Sequence, residues 1–118
     1  MTLDKFRINM MSYRQSAEDE ARSLKNSYIT LERLLGLYRK FDVTECRMAD
    51  QVLVEWVLSE DEGLRFDALA LIDELKIASA LPALYNLIAR LTASTAPGAP
   101  YESEKAHRII ARLTSLSK

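Results

Sequence analysis

Apolar residues recur every three or four positions along almost the whole chain, the period of helices that each bury one face. Leu3, Phe6, Met10, Tyr13, Ala17, Ala21 and Leu24 form the first stripe, and predict helix over residues 3–24. Ser16 and Asp19 leave room for a break inside it, as an N-cap and an acidic third position. Asn26 and Ser27 are good capping residues. They precede a second stripe of Leu31, Leu34, Leu35, Tyr38 and Phe41. Gly36 inside that stripe costs about 1 kcal/mol relative to Ala, so a neighbouring helix is expected to approach closely there. Asp42, Val43 and Thr44 read as a turn ending in a cap. Ala49, Leu53, Trp56 and Val57 make the third stripe, with Val54 and Leu58 on another face. Two apolar faces predict a helix covered on two sides. Trp56 is read as core first and as an interface anchor second.

Ser59 and Glu62 have the spacing of a capping box and predict the start of a fourth helix carrying Leu64, Ala68, Leu71, Ile72 and Leu75. Ser79 and Pro82 open a fifth, with Leu84, Leu87, Ile88 and Leu91 on its stripe. Residues 92–100 are rich in small residues, Pro and Gly, and read as a linker and the first site of proteolysis. A last helix carries Ala106, Ile109, Ile110 and Leu113. No segment reads as a strand.

A shift of 34 positions superposes the apolar pattern on itself. Leu34, Leu37, Tyr38 and Phe41 fall on Ala68, Leu71, Ile72 and Leu75; Ala49, Leu53, Val54 and Val57 fall on Ala83, Leu87, Ile88 and Leu91. A period in this range belongs to stacked helical pairs. Residues 64–75, with Arg65 ahead of Ala and Leu, followed by Ala80-Leu81-Pro82-Ala83-Leu84, resemble a HEAT repeat of the short bacterial type. The turn between the two helices departs from it, reading Lys76-Ile77-Ala78-Ser79 instead of Gly-Asp-Pro. The resemblance implies an all-α fold: a short right-handed stack of about six helices in one domain, residues 1–118. It implies a surface for binding macromolecules and brings no catalytic residue.

Composition narrows the chemistry. The chain has 118 residues, enough for a core without covalent staples. With 16 Lys and Arg against 17 Asp and Glu, it lacks the basic excess of a nucleic-acid binder. One Cys and one His exclude a disulfide framework and a His- or Cys-based metal cluster. The early charges Asp4, Lys5 and Arg7 predict no secretory leader. The longest uncharged stretch, 77–89, is too short for a membrane span. A cytoplasmic protein with no membrane association and no cofactor is expected.

No phosphate loop, nucleophile elbow or metal-binding His pair occurs. Glu104, three residues before His107, could orient that imidazole, but an exposed helical histidine is the commoner reading. Cys46 in a first helical turn and the run Glu18-Asp19-Glu20 have equally plain structural readings.

Charge placement says more. Residues 60–74 hold six acidic residues and one basic one, Arg65. That segment is either a solvated face or a surface complementary to a basic partner. Spacings of four, three and four put Glu62, Phe66, Leu69 and Asp73 on the helix face opposite the predicted core stripe. If Phe66 and Leu69 are uncovered, they form an apolar patch with an acidic rim. The candidate partner-binding residues are therefore Glu62, Phe66, Asp73 and Glu74, with Asp50 and Glu55 from the preceding helix. Small acidic-faced helical chains of this size resemble bacterial immunity proteins, which bind and block a cognate toxin, often a nuclease with a basic cleft. The expected partner is such a protein. An adaptor or assembly subunit is the alternative, and a HEAT-like DNA glycosylase or bilin-attachment lyase a more distant one.

Overall fold

The computed structural model describes residues 2–115. Among them are six α-helices and no strand: α1 (Leu3–Ser23), α2 (Tyr28–Arg39), α3 (Val43–Val57), α4 (Glu62–Leu75), α5 (Leu81–Thr92) and α6 (Ala99–Ser115). The fold is all-α, as the apolar periodicity predicts. Tyr28 and Glu62, which open α2 and α4, stand 34 positions apart, whereas Val43 and Leu81, which open α3 and α5, stand 38 apart. No described helix is long and apolar enough to cross a membrane.

Contacts cluster into two units, the first ending at Val52 and the second beginning at Leu53, inside α3. In the first unit α1 packs along α2. Thr2 caps α1 by accepting the Lys5 N–H at 3.2 Å. The helix then runs unbroken past Ser16. Phe6, Met10, Ala17 and Ala21 are buried, whereas Tyr13 and Leu24 are exposed. Arg14 takes the buried place expected of Tyr13, its guanidinium 2.7 Å from Glu18. The Phe6 and Phe41 rings lie 5.1 Å apart, and Tyr38 meets Phe41 edge-on at 6.2 Å.

Two starts differ from the sequence reading. Asp42 rather than Thr44 closes the start of α3: its carboxylate accepts the Glu45 N–H at 2.8 Å, while the Glu45 carboxylate accepts the Asp42 N–H at 3.1 Å. This reciprocal pair is a capping box built on Asp. At α4 the cap is Asp61, which accepts the Leu64 N–H at 3.1 Å. Ser59 instead turns the preceding loop by accepting the Asp61 N–H at 3.0 Å. An ionised carboxylate nearer the helix end is the stronger acceptor for its unpaired N–H groups.

Gly36 also departs from expectation. A Cβ there would meet nothing within 4 Å, so no closely approaching helix explains the glycine.

In the second unit α5 and α4 both pack on α6. Leu53, Trp56, Val57, Leu64, Ala68, Leu71, Ile72, Leu84, Leu87, Ile109 and Leu113 are all buried. Trp56 is therefore core. Val54, Leu58 and Leu75 are only half-buried. α4 ends at Leu75, and its C-cap Lys76 has a φ of 57°, in the left-handed region. The Ile77 N–H then bonds back to the Ile72 carbonyl at 3.1 Å, and Ile77 is buried. This backward bond, with an apolar residue after it, stops a helix without glycine. A single 3₁₀ turn, Ala78–Ala80, leads into α5, with Pro82 in its first turn. The linker is shorter than predicted, because Ala99 and Pro100 already belong to α6 and Ala99 is buried.

Candidate interaction surface

The α4–α6 packing leaves a groove of about 240 Å³ lined by Glu62, Phe66, Leu69, Gly98, Tyr101, Glu102 and Lys105. Its aromatic side chains are uncovered: Phe66 is 54% exposed and Tyr101 78%. Leu69, at 1% exposure, belongs to the core and supplies only the floor. The exposed aromatics of this groove are thus Phe66 and Tyr101, without Leu69. Sequence reasoning missed Tyr101 because it sits on a different helix, 35 positions from Phe66. The missed signal was an exposed aromatic in the first turn of α6, outside that helix's apolar stripe.

The groove carries charge of both signs. Lys105 Nζ stands 4.1 Å from the centroid of the Phe66 ring, within the range of a cation–π contact. Burial of Lys105 pushes its ammonium pKa below the ordinary lysine value, against the attraction of Asp73 and Glu102. Glu102 is held from behind. Arg65 Nε and Nη2 donate to its carboxylate at 2.6 and 3.1 Å, and Arg65 Nη1 donates to the carbonyls of Ser59 and Glu60 at 3.1 and 3.0 Å. The same guanidinium thereby fixes the acidic turn that precedes α4. Glu60, Asp61 and Glu62 in that turn are all exposed.

The other candidate residues do not line this groove. Asp73 is committed to an internal clamp: Arg112 Nε and Nη2 donate to its carboxylate at 2.7 and 2.6 Å, and Lys76 Nζ lies 3.6 Å away. The Arg112 hydrogen bonds hold the Asp73 carboxyl below the usual carboxylate range. Glu74 is exposed, and at about 100° per residue it lies a quarter-turn round α4 from Asp73. Glu55 is half-buried on α3. Asp50 belongs to the first unit, where its carboxylate accepts the Tyr38 hydroxyl at 2.8 Å. Burial raises the Asp50 carboxyl pKa, and burial with the Asp50 contact raises that of the Tyr38 phenol.

A second, more open groove of about 460 Å³ runs along Leu91, Thr92, Ala99, Pro100, Ser103 and His107. His107 is exposed, and the Glu104 carboxylate lies 3.4 Å from Arg108 Nη1. No group of His, Cys, Asp and Glu among the described residues could hold a metal ion. Comparison with known proteins finds no matching family model, curated protein or solved structure.

Proposed function

We propose that this chain is a protein-binding helical module of HEAT-like type, acting in the bacterial cytoplasm as an immunity protein. In this reading it neutralises a cognate toxin, a nuclease with a basic cleft being the best fit, by occupying the toxin's functional surface. No residue is assigned a catalytic role. The observation that carries the reading is the exposed aromatics Phe66 and Tyr101 of one groove, with the acidic turn Glu60, Asp61 and Glu62 at the start of α4. Aromatic anchors beside a charged rim are the composition of a binding hot spot, and the rim's negative charge matches a basic partner. Glu74 extends that charge along α4. Asp73, Glu55 and Asp50 are not anchors in this reading.

The test is direct binding to a purified basic toxin encoded beside this chain. Phe66→Ala should accelerate dissociation, and Glu62→Lys with Glu74→Lys should slow association. Unchanged rates for both variants would refute the reading.

An adaptor role is the second reading. The exposed Ile8, Leu24, Tyr28 and Val43 of the first unit favour it, because they offer apolar surface that does not belong to the α4–α6 groove. A chain that bridges two partners would need both surfaces.

A further inference from the structure

We propose that the α4–α6 groove is a receptor for one cationic side chain of the partner, arginine above all, and that Lys105 is its built-in competitor. This rests on the partner-binding reading above. The groove has the parts such a receptor needs: the Phe66 ring as a platform, Tyr101 beside it, and the Glu62 and Glu102 carboxylates at the walls. It also holds an example of the ligand class. Lys105 reaches from α6 to place its ammonium 4.1 Å from the ring centroid. The ring face therefore already binds a cation, supplied by the chain itself.

The resident is poorly matched to its place. Burial disfavours its charged form, and Asp73 and Glu102 only partly offset that cost. A planar guanidinium is more weakly hydrated than an ammonium, and it can stack on the ring while donating to carboxylates at its edge. An arriving arginine can thus displace Lys105 toward solvent, which the open groove allows. Glu102 is already held by two Arg65 hydrogen bonds, so the exposed Glu62 is the wall carboxylate offered to the edge of the guanidinium. Lys105 then acts as a gate on selectivity: a partner offering only apolar surface leaves the lysine in place.

The test uses the whole chain and a small probe, N-acetyl-arginine methylamide, titrated under NMR observation. Its neutral isostere, N-acetyl-citrulline methylamide, serves as the control. The arginine amide should produce saturable shifts confined to Phe66, Leu69, Gly98 and Tyr101, and the citrulline amide should not. Lys105→Met should tighten the arginine amide by about two- to fivefold, the range of an exposed cation–π contact. Arg108→Gln removes the same charge one turn nearer the end of α6, where it acts on Lys105 only from a distance, and should tighten the arginine amide clearly less than Lys105→Met. Phe66→Leu should abolish the localised shifts. Lys105→Gln gives a second reading should the methionine variant fold poorly. Equal responses to both amides, or equal tightening by Lys105→Met and Arg108→Gln, would overturn the proposal. Because no partner protein is present, such a failure leaves the partner-binding reading standing. Loss of toxin binding with the titration intact would count against that reading alone.

Discussion

Arg65 grips Glu102 across the α4–α6 packing with two nitrogens, at 2.6 and 3.1 Å, in a pair whose side chains are each only 15% exposed. Its remaining donor nitrogen holds the carbonyls of Ser59 and Glu60. One side chain therefore orders both the groove wall and the acidic turn beside it. Arg65→Ala should cost about 3 kcal/mol, the low end for removing one partner of a largely buried pair. Glu102→Gln keeps an acceptor in place and should cost less. Urea unfolding of both single variants and the double variant checks this. Strictly additive losses would mean that the pair is not coupled.

Gly36 has no packing reason to be glycine, since its missing Cβ faces open space. Gly36→Ala should therefore stabilise the chain by about 0.5–1 kcal/mol, by raising helix propensity and narrowing the unfolded ensemble. The urea midpoint should rise. A fall would mean that a neighbour approaches closer than the structure shows.

Leu71 and Leu87 are buried, whereas Leu75 is half-buried beside the turn that ends α4. Leu71→Ala and Leu87→Ala should each cost about 2–5 kcal/mol through lost transfer energy and a cavity. Leu75→Ala should cost clearly less. Equal losses at all three positions would contradict this ranking.

The helical stripes were legible in the sequence because burial along a helix imposes a period, and periods survive without coordinates. Phe6, Leu53, Ala68 and Ile109 show this. Caps were less legible. Several acceptors near Asp42 and Asp61 compete for the same N–H groups, and the carboxylate nearest the helix wins. The turn after α4 was opaque because Lys76 adopts a left-handed conformation that its residue type does not announce. At the site, Glu62 and Phe66 were readable from one helix face. Tyr101, Glu102 and Lys105 were not, because only the packing of α6 on α4 brings them there. For the same reason Asp73 read as a docking charge, although Arg112 had claimed it.

Acid should separate two aspartates. The Asp73 pKa is lowered by Arg112, so its stabilising contribution is full above the unfolded carboxyl value and lost as pH falls through the lower folded one. Asp73→Asn should cost about 0.2–1 kcal/mol at neutral pH, as a partly exposed pair does, and this difference should vanish in strong acid. The Asp50 pKa is raised by burial. Its ionised form costs stability at neutral pH, and that cost disappears as pH falls through the raised value and below the unfolded one. Any advantage of Asp50→Asn should therefore shrink in acid. Thermal unfolding midpoints from pH 2 to 7 test both signs.

The most direct measurement is the association rate of the proposed basic partner with the wild-type chain and with the Glu62→Lys, Glu74→Lys variant, followed by stopped flow at low and high salt. Both substituted residues are exposed, so folding should be unaffected. Steering by the acidic α4 face should make wild-type association at least about tenfold faster than the variant at low salt, and the gap should close as salt screens the field. Equal rates at low salt would show that the face is only solvated surface, and would contradict binding through it.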